Sequence, residues 1–237
     1  MNDNTVLVSE VFLSIDGEAY HAGKPSVFFR TVGCNLRCSW CDSKYTFVAD
    51  ENSKYMDPLE ALDAVERCSK NGLVKHVTIT GGEPLLPVNR TFMLTFVDML
   101  LSKGYSVDIE TNGAIDLTPY RDKWTLSSNV SFIMDWKCPS SGMHHRMLES
   151  NLSLLGALDI VKCVVADEDF ETVAEMLKKL ETIKRACALP EVYISPVFGQ
   201  VTMSKIPEFV IEHAEYPYLR CQLQLHKYFW EPTMRGV

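Results

Sequence analysis

Short runs of β-branched and aromatic residues alternate along this chain with longer stretches whose apolar positions recur every three or four residues. The runs SVFFRTV (26–32), HVTIT (76–80), YSVDIE (105–110), VSFIMDW (130–136), LDIVKCVV (158–165), EVYISPV (191–197) and LRCQLQL (219–225) predict strands. Between them, DPLEALDAVERCSKNG predicts a helix capped by Asp57, started by Pro58 and closed at Gly72, with Leu59, Leu62 and Val65 along one face. RTFMLTFVDMLLSKG and DFETVAEMLKKLETIKR show the same spacing, and IPEFVIEHAE a shorter version of it. Strand and helix alternating at this rhythm predict a mostly parallel α/β sheet covered by helices. Right-handed crossovers leave a closed or partly closed barrel and an open doubly wound sheet as the two architectures. In both, chemistry collects at the C-terminal ends of the strands.

The length of 237 residues suits one domain over 1–237, and 46% hydrophobic residues suffice for a sizeable core. A net charge of −8 argues against a nucleic-acid binder, which needs a basic face. The opening MNDNTVLVSE lacks the features of a signal peptide, and no apolar run is long enough to cross a bilayer. The expectation is a cytoplasmic protein with no membrane partner, where structural disulfides are uncommon. Its eight cysteines then divide into metal ligands and buried thiols, with Cys68, Cys163 and Cys221 expected in the core.

Three of the eight, Cys34, Cys38 and Cys41, fall just after the predicted strand SVFFRTV. A structural zinc site takes four ligands, so a fourth would have to come from His21, His76 or another distant residue. A thioredoxin-type pair leaves Cys34 unexplained. An iron–sulfur cluster on three thiolates keeps an open coordination position, and an open metal site is a reactive one. The glycine-rich or polar stretches GGEP (81–84), ETNG (110–113) and DWKCPSSG (135–142) also end predicted strands. One barrel mouth therefore gathers the candidate chemistry.

The spacing Cys34-x3-Cys38-x2-Cys41, with Trp40 before the last cysteine and GGEP one βα unit later, resembles the signature of the radical S-adenosylmethionine superfamily. The resemblance implies a partial (βα)6 barrel and a 4Fe-4S cluster whose unique iron binds S-adenosylmethionine. It places cofactor contacts at Trp40, Asp42, Gly81, Gly82, Glu83, Glu110, Asn112, Asp135, Trp136 and Lys137. The paired glycines read as a close backbone approach to the ligand, with Glu83 near its ammonium. Glu110 ends an apolar strand, where a carboxylate is costly unless partnered.

The stretch EVFLSIDGEAYHAGKPSVFFRTVGCNLRCSWCDS, with Ser43 two residues past Cys41, and the ending LQLHKYFWEPTMRGV resemble the 7-carboxy-7-deazaguanine synthases. That resemblance runs from about residue 9 to the end. It implies ring contraction of 6-carboxy-5,6,7,8-tetrahydropterin with loss of ammonia, S-adenosylmethionine acting catalytically. It further implies Mg2+ at the Ser43 hydroxyl, an electron donor such as flavodoxin or ferredoxin, and a homodimer. Substrate contacts would come from Ile15, Asp16, Gly17, Arg30, Thr80, His226 and the Val237 carboxylate. Arg30 suits a carboxylate because its guanidinium bonds in a bidentate manner. The chain departs from the family pattern at Asp16, where Gln is usual, at Ala19 in place of Gly, and at Asp135–Trp136–Lys137 in place of S-P-K. Two readings of other classes remain at this level. A glycyl-radical activating enzyme would require a partner polypeptide, and a non-catalytic zinc protein would be colourless.

Overall fold

A computed structural model describes residues 4–124, 127–183, 188–231 and 234–237. Among the described residues nine strands form one sheet: β1 (Val6–Ile15), β2 (Pro25–Thr31), β3 (Lys54–Met56), β4 (His76–Gly81), β5 (Ser106–Thr111), β6 (Val130–Asp135), β7 (Ile160–Val165), β8 (Glu191–Pro196) and β9 (Leu219–Cys221). Their spatial order is β3-β1-β2-β4-β5-β6-β7-β8-β9. β1 runs antiparallel to both β2 and β3, and every other neighbouring pair is parallel. The helices are α1 (Pro58–Cys68), α2 (Arg90–Ser102), α3 (Thr118–Trp124), α4 (Phe170–Thr182), α5 (Lys205–Glu212) and α6 (His226–Phe229). No described helix is long and apolar enough to cross a membrane.

All seven predicted strands occur, and two were missed. β1 was overlooked because its alternation is interrupted by a register shift between Val8 and Glu10. β3 is only three residues long. The helix after Asp57 is capped as expected: the Asp57 carboxylate accepts from the Leu59 and Glu60 amides, and Glu60 reciprocates. Its inner face is Ala61, Leu62 and Val65, whereas Leu59 is exposed, because the helix turns residue 61 rather than 59 toward the core. LRCQLQL is a strand only to Cys221, after which the chain turns into α6. Cys221 is exposed on that edge strand, not in the core; Cys68 is half-buried and Cys163 buried. Cys187 lies outside the described residues.

The sheet does not close, since β9 and β3 are its two edges. Across the open side, the segment after β1 is tied to the segment after β9. Gly17 O accepts from Leu225 N at 3.1 Å, and Gln222 Oε1 accepts from Ala19 N at 2.9 Å. These bonds make a mouth out of an incomplete barrel. The parallel strands bury one apolar face, which carries Phe29, Val77, Ile79, Val107, Ile109, Phe132, Val161 and Ile194, all fully buried. The alternating positions on the opposite face are mostly polar, among them Thr78, Thr80, Asp108, Glu110, Asp135 and Lys162.

Candidate active site

The C-terminal ends of β2, β4, β5, β6 and β7 surround one cavity. It is lined by Cys34, Cys38 and Cys41 together with Asp16, Glu18, Arg30, Ser43, Thr80, Gly81, Gly82, Glu110, Asn112, Asp135, Lys137, Lys162, Gln224, His226 and Val237. The loop carrying the cysteines begins where β2 ends, and it stays there because β2 and β4 meet at backbone distance. A Cβ on Gly81 would lie 2.4 Å from Thr31 N, and one on Gly82 would lie 2.0 Å from Gly33 O. The two glycines are therefore required by the approach of protein backbone, and both also line the cavity. Gly81 also has φ of +139°, which only glycine adopts freely.

Around the cysteines, Leu36 N and Asn112 Nδ2 approach Cys34 Sγ at 3.4 and 3.6 Å. Asn112 Nδ2 also donates to Asn35 Oδ1 at 2.7 Å. Burial pushes all three thiols up, Cys38 to about 11, although Lys137 opposes this. Bare, they are neutral thiols. A bound metal removes their protons, so the set suits ligation better than nucleophilic chemistry.

Opposite the cysteines lies an excess of carboxylate. Lys162 Nζ contacts Glu18 Oε2 and approaches Asp135 Oδ1 at 3.6 Å and Glu110 Oε1 at 4.0 Å. Lys137 Nζ bonds Asp135 Oδ2 at 2.7 Å. Thr80 donates to Glu110 Oε2 at 2.6 Å. Asp16 accepts from Thr78 Oγ1 at 2.9 Å and from Glu18 N at 3.1 Å. Four carboxylates thus face two ammonium groups. Burial, joined by Glu110, pushes Asp16 up to about 7. Burial raises Glu110 as well, although Lys162 pulls the other way. Against burial, Asp135, Glu18 and Glu110 hold Lys162 well above the ordinary lysine value. A ligand carrying positive charge would relieve this imbalance.

Near the mouth, Arg30 Nε faces Glu10 Oε1 at 3.0 Å, and Tyr45 donates to the same oxygen at 2.6 Å. Phe12 and Phe28 stack at 5.2 Å and supply a flat apolar wall. Ser43 donates to Asp42 Oδ1 at 2.9 Å, and Asp42 Oδ2 lies 3.0 Å from Lys227. Burial alone would raise Asp42, but Lys227 holds it well below the usual carboxylate range. His226 seats against Gly17, where a Cβ would come 2.5 Å from its Nδ1. Burial lowers its pKa.

Of the residues expected from sequence, Ile15, Asp16, Gly17, Arg30, Cys34, Cys38, Cys41, Asp42, Ser43, Thr80, Gly81, Gly82, Glu110, Asn112, Asp135, Lys137, His226 and Val237 come together here. Three do not. Glu83 is fully buried away from the cavity, where it accepts from Leu85 N at 2.9 Å, Thr111 Oγ1 at 2.9 Å and Asn112 N at 2.7 Å. Trp136 is packed in the main core because alternation along β6 turns it to the face opposite Asp135. Trp40 faces a neighbouring groove with Val164 and Val197, its Nε1 donating to Ser140 at 3.0 Å. Sequence reading also passed over Glu18, Lys162, Gln224, Glu10 and the Phe12–Phe28 pair. A lysine inside the apolar run LDIVKCVV was the available signal for Lys162.

Comparison with known proteins agrees with this geometry. Residues 28–123 match the family model described as the radical SAM superfamily. The 7-carboxy-7-deazaguanine synthase of Clostridium acetobutylicum is 35% identical over 97% of this chain and 98% of its own length. That of Koribacter versatilis is 32% identical over 97% and 99%. The crystal structure of QueE from Escherichia coli superposes with a TM-score of 0.70 at 22% identity, over 94% of this chain and 95% of that one, which supports the fold. Similarity of this extent at both ends of the alignment, around three cysteines that share one cavity, means that the chain belongs to the 7-carboxy-7-deazaguanine synthase family of radical S-adenosylmethionine enzymes.

Proposed function

We propose that this chain converts 6-carboxy-5,6,7,8-tetrahydropterin to 7-carboxy-7-deazaguanine with release of ammonia, a step toward 7-deazapurines such as the queuosine precursor. The observation that carries the reading is the full-length likeness to synthases of that name. The cavity adds a chemical rationale, since thiols, excess carboxylate and a guanidinium face one another across it.

The residues present fit the groups that such chemistry requires. A three-thiol set suits a 4Fe-4S cluster with an open iron, and the surplus of Asp16, Glu18, Glu110 and Asp135 over Lys137 and Lys162 suits the cationic S-adenosylmethionine. Cluster and cofactor together supply one-electron cleavage and reversible hydrogen abstraction at the substrate. Glu110 and Asp135 would hold the cationic cofactor, while Asn112 fixes the Cys34 loop. Arg30, ion-paired with Glu10, would offer its guanidinium N–H groups to the pterin carboxylate. The Ser43 hydroxyl, with Asp42 beside it, would hold a Mg2+ ion, which would supply positive charge for that carboxylate. Phe12 and Phe28, which stack in the cavity wall, would pack on the planar ring, and Asp16, Gly17, Thr80, His226 and Val237 would meet its polar edge. The loop after β1 and the C-terminal segment, tied through Gly17 and Leu225, restrict water entry.

The enzyme acts on a small molecule and needs a reductant. We further propose a single catalytic domain over 1–237, a flavodoxin or ferredoxin donor, a homodimer and a cytoplasmic location.

The test is an anaerobic assay of the iron-reconstituted chain with carboxytetrahydropterin, S-adenosylmethionine, Mg2+ and dithionite. Formation of the deazaguanine with several turnovers per cofactor supports the proposal. Stoichiometric cofactor consumption, a requirement for a partner polypeptide, or a colourless chain without product overturns it.

A further inference from the structure

Away from the cavity, toward the N-terminal ends of β4 and β5, three metal-ligating side chains meet. His21 comes from the turn Ala19–His21 after β1, His76 opens β4, and Asp108 lies within β5. Their ligand atoms all lie within 4.8 Å of one another. We propose that His21, His76 and Asp108 form a second metal site, for one zinc-class divalent cation, which pins the loop after β1 to the sheet.

Three observations point there. The first is spacing. Tetrahedral zinc with bonds of about 2.0–2.1 Å separates its ligand atoms by about 3.3 Å. Asp108 Oδ2 lies 2.9 Å from His21 Nδ1 and 3.4 Å from His76 Nε2. The second is the hydrogen-bond pattern. His76 Nδ1 is engaged by Ser106 Oγ at 2.9 Å, which leaves Nε2 facing the Asp108 carboxylate. His76 is nearly buried, and its Nε2 has no hydrogen-bond partner. A bound cation would give this nitrogen and the carboxylate a shared partner in a buried place. The third is that the far nitrogen of His76 is held by a hydrogen-bond partner, Ser106, as the imidazole of a metal site is oriented by a second-layer contact. Among the described residues, Asp108 has no side-chain partner except the two imidazoles, whose rings stack at 3.7 Å. Imidazole and carboxylate donors together suit borderline cations such as zinc better than Mg2+. The site has a functional neighbour: five residues before His21 is Asp16, which lines the active cavity.

The proposal is tested on the cluster-loaded enzyme, purified anaerobically, incubated with zinc sulfate and desalted. Element analysis should find about one zinc per chain in addition to the cluster iron. X-ray absorption at the zinc edge should show imidazole nitrogen and oxygen without sulfur. His21→Ala, changed on a half-buried turn, should weaken zinc binding by at least about tenfold with iron retained. Asp108→Asn, which keeps the side-chain shape, should do the same. Zinc no higher than in the buffer control, sulfur in its shell, or equal retention by both variants overturns the site. The first of these outcomes would leave an imidazolium–carboxylate cluster instead.

Discussion

The Glu83 carboxylate accepts a 2.7 Å hydrogen bond from the backbone N–H of Asn112, and so the end of β4 holds the end of β5. With Leu85 N and Thr111 Oγ1 on its other oxygen, Glu83 works as a splice between two cavity-forming strands. Burial pushes it up to about 7, although these three donors oppose the shift. The folded form therefore binds a proton more tightly than the unfolded chain. Stability should fall as pH rises from about 4.5 to 7, by about 3 kcal/mol at most. Glu83→Gln should flatten this slope. It should also cost about 1–3 kcal/mol at pH 5, because an amide donor would face the Asn112 N–H. Urea midpoints of the two proteins at pH 5 and 7.5 check both effects.

Each of Cys34→Ala, Cys38→Ala and Cys41→Ala should abolish brown colour, bound iron and product formation. Cys163→Ala, made in the buried core, should keep the iron. Iron and sulfide analysis after anaerobic reconstitution distinguishes them.

Lys162 is the cation shared by Glu18, Asp135 and Glu110. Lys162→Met should destabilise the fold by about 3–5 kcal/mol at neutral pH, since it leaves buried carboxylates unpaired. The loss should shrink toward pH 5, where protonation relieves the repulsion. Thermal melts across that range provide the reading.

Arg30→Lys keeps the charge and loses the fork. If Arg30 binds the pterin carboxylate, KM for the pterin should rise about 10–100-fold with a smaller change in kcat. Equal losses in kcat and kcat/KM would place Arg30 in the reacting complex rather than in ground-state binding.

Gly82→Ala would set a methyl 2.0 Å from Gly33 O. The backbone of the cysteine loop would have to move, so reconstituted iron should drop together with a stability loss of more than about 2 kcal/mol. Gly104→Ala, where a Cβ meets open space but φ is +76°, should lower stability modestly and leave the iron content intact.

Much of this protein was legible in one dimension. Strand and helix periodicities identified the parallel sheet because each strand keeps one β-branched or aromatic face buried, in short runs that alternate with helical spacing. Three closely spaced cysteines and the polar stretches after successive strands located the cavity, since a parallel sheet brings its C-terminal strand ends to one side. Tertiary structure decided the direction in which each side chain points. Glu83 and Gly82 follow a cavity-lining strand in sequence, yet one serves a neighbouring strand and the other a neighbouring backbone. Trp136, one residue from Asp135, lies on the other face of the sheet. Glu18, Lys162 and Gln224 are distant in sequence, and only the bridging of β1 to the chain after β9 brings them together. The same holds for His21, His76 and Asp108, which no spacing rule connects. Local spacing encodes which groups a segment carries, whereas packing at the open edge of the sheet determines which of them meet.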